Sequence, residues 1–402
     1  MYRALVVGGN HQNTLGVIQA LGRKGVSSDV IIIGNESSSY VLSSKYILSG
    51  YICRDEVSVV SCIQDLLIST KQNFVAIACS DDAADILDRN FQNFQDSLVI
   101  PTVGERGTLH QWTNKEKMSN TAMEVGLTIP VSWLIKDKEI PSDMLYPCIV
   151  KPITSIKNGK KGFAKCYNEE ELRTYLEFDK GFEPIQVQQY IDKDFEYQFI
   201  GCSINGGEEV IIPGRTHINT TTGFNNLVFL GYDKYEESFE RIVECSKQFV
   251  KRVGYSGLFS IEFMRGKDGR DYFLEMNFRN DGNGIVVTSS GTNLPYIWYL
   301  YASGRNYMEE VSASVVRKSY MMPEVSFLLS MFNGEITFRE WLSDYKKATC
   351  FLTRFDDDRE PYKLYIRSQR GCITKSFVKY ILVKMHLYNL MKKLKRRYAS
   401  RR

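Results

Sequence analysis

The sequence predicts an α/β chain that continues into an α+β region and ends in an α-rich segment. Three observations predict it. Fully apolar strands alternate with helical periodicities over residues 2–90. A hairpin pattern occupies 256–279, and helical spacing dominates 292–402. The 402 residues are enough for two or three domains with a substantial core.

The elements follow in order. YRALVVGG at 2–9 reads as a buried strand entering a glycine turn. Leu15, Ile18 and Leu21 then keep helical spacing over 13–25, and VIIIG at 30–34 is a second buried strand. A helix is expected at 56–70 and a strand at 74–79. Ser80-Asp81-Asp82 opens another helix, and this first parallel layer ends near 105. Met118, Ala122 and Val125 mark an amphipathic helix over 113–127. Strands are expected at 147–151, 163–167, 185–190 and 195–204, with a helix near 168–178.

Composition narrows the function classes. Hydrophobic residues make up 43% and charged residues 24%, so disordered and fibrous classes are excluded. No apolar run reaches the ~18 residues of a membrane span, and no basic-then-apolar leader opens the chain. The nine cysteines form no CxxC pair and the four histidines are scattered, which disfavours a zinc site or disulfide framework and suits a reducing cytoplasm. Net charge is +4, yet residues 375–402 hold ten Lys/Arg and no Asp/Glu, leaving −6 on the rest.

The hairpin carries the strongest local signal. LFSIEFM (258–264) and DYFLEMNFR (271–279) flank Asp268-Gly269, a favoured turn dipeptide. With that pair as a two-residue turn, Glu262 faces Glu275. Alternation puts Phe259, Ile261, Phe263, Tyr272, Leu274, Met276 and Phe278 on a core face. Ser260, Glu262, Glu275, Asn277 and Arg279 take the other. Facing carboxylates need a compensating cation, and two carboxylates with an amide oxygen suit Mg²⁺. The alternative is a solvated polar face. A three-residue turn would reverse the facing.

Lys151 ends the apolar run 148–150, a costly place for an ammonium unless an anion meets it or it snorkels. The basic segment ITSIKNGKKGF after it could fold over phosphates through backbone N–H groups and Lys160 or Lys161. It is not GxxxxGK[ST], and Gly8-Gly9 does not begin GxGxxG, so P-loop and Rossmann dinucleotide sites are disfavoured.

Taken in order, these pieces resemble the ATP-grasp superfamily over roughly residues 2–304. The pieces are Asn114-Lys115 with Gly126, Tyr146–Pro152 (YPCIVKP), loop 153–163, Val187–Ile191 (VQQYI), Glu262, and Glu275–Arg279 (EMNFR). The likeness is greatest to the carbamoyl-phosphate-synthetase-like and D-aspartate-ligase-like branch. It implies an N-terminal domain at 1–107 and an ATP-grasp domain at 108–304. Within the latter a lid lobe spans about 113–190 and a metal lobe about 191–304; an α-rich region follows at 305–402.

Residue by residue, the resemblance implies that Lys115 and Lys151 contact ATP phosphates, with Lys117 competing for the first role. The backbone of Gln189 and Ile191, beside Gln188, meets adenine, and Glu196 bonds the ribose. Glu262, Glu275 and Asn277 hold one or two Mg²⁺ (or Mn²⁺). Arg279 stabilises the transferring phosphoryl group, with Arg215 a weaker candidate. Gln188-Gln189 departs from the acidic linker of many members, and the loop is glycine-poor. The implied activity is cytoplasmic ligation of a small carboxylate to an amine through an acyl phosphate. Alternatives are a carboxylate- or bicarbonate-phosphorylating enzyme and an ATP-binding protein without turnover. The substrate would lie near Asn10-His11 and Ser80-Asp81-Asp82, at the carboxyl ends of strands.

The segment 377–398 reads as a basic helix with an apolar stripe through Phe377, Ile381, Met385, Tyr388 and Met391. It suits packing on the body, then a membrane surface; nucleic acid is not expected. Oligomeric state is open, a homodimer included, and 353–361 (TRFDDDREP) has no assigned role.

Overall fold

The computed structural model describes residues 2–94, 97–151, 164–178, 185–221 and 228–385. Side chains are described for these residues except 151, 218–221 and 228–230. The expected loop 153–163 and the tail beyond 385 lie outside the described residues.

The N-terminal unit is a parallel α/β layer. Strands β1 (Tyr2–Gly8), β2 (Ser28–Ile33), β3 (Ile47–Cys53), β4 (Asn73–Ala78) and β5 (Leu98–Val99) form a five-stranded sheet in the order β3-β2-β1-β4-β5. Helices α1 (Gln12–Gly22), α2 (Glu56–Thr70) and α3 (Asp81–Arg89) connect them. Helix α2 has the residues the sequence predicts because both ends are fixed locally. Asp55 and Ser58 form a reciprocal capping box, and Lys71 takes a left-handed conformation at the C-cap. Alternate side chains of β1 enter two cores. Ala4 and Val6 pack with Leu15, Ile18 and Leu21 of α1. Leu5 and Val7 pack with Val59, Ile63 and Leu66 of α2.

Helix α4 (Lys115–Glu124) leads out of this layer; it is shorter than the expected 113–127 because a 3-10 turn occupies Leu109–Thr113. A small antiparallel sheet follows, built from β6 (Ser132–Ile135), β7 (Cys148–Lys151), β8 (Ala164–Cys166) and β9 (Ile185–Gln189) in the order β6-β9-β7-β8. Helix α5 (Glu169–Phe178) covers one face, with Leu172 and Leu176 against Cys148, Val150 and Val187.

The large sheet has eight strands. Its path is β15-β14-β10-β12-β13-β16-β17, with β11 added to β10. The ranges are β10 Lys193–Ile204, β11 Glu209–Ile211, β12 Arg215–Thr221, β13 Val228–Asp233, β14 Gly257–Gly266, β15 Asp271–Asn277, β16 Ser319–Met322 and β17 Cys350–Phe351. Helix α6 (Glu240–Val253) packs Val243, Phe249, Val250 and Val253 against Phe259, Ile261, Phe263 and Phe273. Helices α7 (Gly284–Ser290) and α8 (Leu294–Ala302) bridge to the first layer. Trp298 donates to Ala76 O at 3.1 Å, and Tyr299 OH to Tyr2 O at 2.7 Å. Helices α9 (Met308–Ala313), α10 (Glu324–Asn333), α11 (Phe338–Lys347) and α12 (Glu360–Lys384) complete the described residues. The fold is a parallel α/β layer followed by an α+β region and an α-rich end.

The 257–277 hairpin differs from the expected one in two ways that cancel. Its turn has three residues, Lys267–Gly269. Gly266 N donates to Arg270 O at 2.9 Å, and Gly269 supplies the positive φ (+78°) such a turn requires. By itself this would set Glu262 opposite Leu274. A bulge between Glu262 and Phe263 absorbs one residue, so Phe263 pairs with Phe273 while Glu262 pairs with Glu275. Phe273 therefore enters the core, against expectation, and Leu274 is half-buried outside the core clusters.

Candidate functional site

Glu262 on β14, Glu275 on β15 and Gln198 on β10 form one cross-strand row, with Ser260 opposite Asn277 beside it. Two amides converge on one oxygen: Gln198 Nε2 and Asn277 Nδ2 each donate to Glu262 Oε1 at 3.2 Å. Asn277 Nδ2 also reaches Ser260 Oγ at 3.3 Å. Even so, Glu262 is pushed up to about 7, first by burial and then by the charges of Glu275 and Asp281.

Arg279, two residues past Asn277, sits at the rim with its side chain 18% exposed. Its Nε donates to Asp81 Oδ1 at 3.0 Å, its NH1 lies 3.5 Å from Asp281 Oδ2, and its NH2 reaches Asn277 Oδ1 at 3.4 Å. Asp81 belongs to the first turn of α3, so the N-terminal layer helps aim this guanidinium. A buried amide lock fixes the junction. Asn280 Nδ2 donates to Asn13 Oδ1 at 2.5 Å, and Asn13 Nδ2 donates to the carbonyls of Asn280 (2.7 Å) and Cys79 (2.9 Å). His11 caps α1, its Nδ1 accepting from Asn13 N at 3.1 Å. Burial, then the Arg279 charge, lowers its pKa, so the imidazole is neutral near pH 7. The carboxyl ends of β1 and β4 thus meet the end of β15, at the switch point where open α/β sheets take ligands.

The remaining expected residues are placed as follows. Lys115 is the first residue of α4, exposed and without an ion pair among the described residues. Lys117 is engaged: its Nζ lies 4.2 Å over the Trp112 ring and donates to Gln111 Oε1 at 3.2 Å. Lys151 ends β7, its backbone opposite Gln186. Gln188 Nε2 donates to Ser132 Oγ at 3.0 Å, and Gln189 N is given to Val131 O at 2.8 Å. The linker is therefore left with carbonyl groups and Ile191 for a ligand. Glu196, half-buried on β10, pairs with Lys193 at 3.0 Å.

Arg215 requires a correction. It begins β12, where the next residue, Thr216, pairs with Gln198 of the carboxylate row while His217 pairs with Tyr197. Arg215 shares the Tyr197 side and lies 4.1 Å from the Phe239 ring centroid and 5.9 Å from that of Tyr197. Strand alternation puts it through the sheet from Glu262, and it cannot reach a group transferred there. Sequence reading missed Gln198 and Asp281, and it placed Asp81 near the substrate without its contact to Arg279. Their signal is strand pairing and interdomain contact, which local pattern does not carry.

Among the described residues no group of three or more His, Cys, Asp or Glu is arranged to hold a metal. Two carboxylates and an amide fit a hard cation whose remaining ligands come from water and a bound phosphate.

The chain is similar to known proteins in sequence over part of its length and in fold. Residues 120–294 match the ATP-grasp domain family. The chain is 28% identical over 166 residues to a formate-dependent phosphoribosylglycinamide formyltransferase of Wigglesworthia glossinidia brevipalpis, covering 36% of this chain and 37% of that protein. It is 27% identical over 201 residues to a 2-oxoglutarate carboxylase small subunit of Hydrogenobacter thermophilus, covering 45% and 39%. It therefore spans less than two fifths of the length of the curated relatives it matches. Two solved structures share the fold. N5-carboxyaminoimidazole synthetase of Staphylococcus aureus has a TM-score of 0.63 at 13% identity, covering 85% of this chain and 87% of that one. L-amino acid ligase of Bacillus licheniformis has 0.59 at 17%, covering 78% and 77%. Residues 120–294 thus match an ATP-grasp domain, and the chain shares the fold of these two structures.

Proposed function

We propose that this protein is an ATP- and Mg²⁺-dependent ligase that activates a small carboxylate as an acyl phosphate and joins it to an amine. The observation that carries the reading is the half-buried, facing Glu262–Glu275 pair with Asn277, ending at Arg279. Formate and L-amino acids, which appear in the names of two similar proteins, both bear a carboxylate.

Glu262, Glu275 and Asn277 would hold the divalent ion, which when bound neutralises phosphate charge and polarises the γ-phosphoryl group. Lys115 and Lys151 would take phosphate oxygens, the 188–191 linker the adenine edge and Glu196 the ribose hydroxyls. Arg279, held by Asp81 and Asp281, faces the negative charge that builds on the transferring group. Substrate carboxylate oxygen attacks phosphorus and ADP leaves. The amine then attacks the acyl carbon, expels inorganic phosphate and loses a proton.

A 2-oxoglutarate carboxylase domain solved with bicarbonate, of TM-score 0.59, favours bicarbonate as a second substrate class to test. Phosphate release across a panel of acids and amines separates the readings. Release that needs both partners supports ligation. Release with one acid or with bicarbonate alone supports phosphorylation without ligation, and ATP binding without release under any pairing refutes both. Nine free thiols agree with a cytoplasmic location.

A further inference from the structure

The C-terminal helix is the part of the molecule this chemistry leaves unexplained. From 361 to 402 the chain holds thirteen Lys/Arg and no Asp/Glu, so the remaining residues carry −9 against +13. Helix α12 runs for 25 residues, and its packing on α10 uses one side. The Phe332 ring lies 5.3 Å from Phe377 and 5.8 Å from Tyr380. Phe377 sits at the edge of that contact, and beside it apolar side chains turn outward. Exposure is 46% for Phe377, 48% for Val378, 38% for Ile381 and 59% for Met385. At ~100° per residue these four fall within an arc of about 100°, one face of the helix. Exposed Lys384 lies about 20° beyond one edge of this face and exposed Lys375 about 60° beyond the other, with exposed Lys379 farther round the helix.

We propose that this face of α12 docks on an anionic lipid bilayer. Three features select that partner. The apolar arc is flanked by lysines whose stems can lie along the interface with their ammonium groups at the lipid headgroups. The sequence beyond it, 386–402, adds seven Lys/Arg to the same end of the chain, and basic residues near an anionic leaflet are attracted to it. The acidic remainder of the chain would be repelled, which orients the molecule with α12 toward the surface. No described helix is long and apolar enough to cross a membrane, so the contact is peripheral. A nucleic acid would use the charge but has no use for the exposed Val378 and Ile381.

The test is flotation of the full chain with phosphatidylcholine vesicles and with vesicles carrying about 30% phosphatidylserine, an anionic fraction chosen to create a strong surface potential. It needs no nucleotide, so its outcome is independent of the ligase reading. Binding to the anionic vesicles only is expected, weakening about tenfold or more in Val378→Asp/Ile381→Asp and in Lys375→Glu/Lys379→Glu/Lys384→Glu. Far-UV circular dichroism checks that each variant keeps its helix content; these side chains face outward, so it should. Absence of binding to anionic vesicles overturns the proposal. So does binding undiminished in Val378→Asp/Ile381→Asp, which would show plain polyanion attraction.

Discussion

At the scale of the residue, Glu262 decides most. Its native pKa, about 7, lies above the ordinary carboxylate value, so the folded state binds this proton more tightly than the unfolded chain does. The stability it contributes is present at pH 4 and is lost as pH rises through 7, a difference on the order of 3 kcal/mol. Glu262→Gln should therefore flatten the ligand-free melting temperature between pH 5 and 8, while the parent protein loses stability across that range. An unchanged slope would remove the uncompensated carboxylate from the account. Divalent-ion affinity has the opposite dependence, falling below pH 7 as the proton competes. Arg279→Lys loses the forked contacts to Asp81 and Asn277. Phosphate release should drop about 10²-fold or more, with melting temperature little changed; parental release would show that Arg279 faces no reacting group.

At the scale of the element, the sequence was readable where structure is local. Helix α2 carries its own capping box, and the strands of the first layer are uninterrupted apolar runs. The hairpin shows the limit of such reading. Its facing pair was legible, but the three-residue turn and the bulge that restores the register were not, because a bulge is decided by which of Phe273 and Leu274 the α6 core accepts. Arg215 was misjudged because its environment is set by Phe239 and Tyr197, from other elements.

The segment 353–361 was silent for the same reason. The side-chain partners of Asp357 and Asp358 lie more than 300 residues away in sequence. Asp358 is buried and accepts from Gln19 Nε2 and Ser44 Oγ, each at 2.5 Å, and from Lys45 N at 3.3 Å. Asp357 takes Arg23 NH2 at 2.5 Å and Tyr46 OH at 2.6 Å in a half-exposed setting. These two neighbours should differ in stability. Asp358→Ala strands buried donors and should cost about 2–4 kcal/mol, whereas Asp357→Ala should cost about 1 kcal/mol or less. Denaturant unfolding of the two variants checks this, and equal losses would contradict the burial argument. Arg23 holds the Asp357 carboxyl below the ordinary range, so its small share of stability is lost only as pH falls into the acid region.

At the scale of the whole molecule, the site is assembled across domains. The β14–β15 hairpin supplies the carboxylates, α3 supplies Asp81, and the Asn13–Asn280 lock holds the two together. The ATP-grasp resemblance was legible because its motifs keep their order along the chain. The substrate was not, because the residues around it come from the ends of strands in separate sheets. The central claim is that the Glu262–Glu275 face binds a divalent ion together with nucleotide. Electron paramagnetic resonance of Mn²⁺ titrated with ATP into the parent protein and Glu275→Gln tests it most directly. Nucleotide-dependent Mn²⁺ binding is expected in the parent and should weaken about tenfold or more in the variant, with the circular dichroism spectrum unchanged. Equal binding by the two proteins would contradict it.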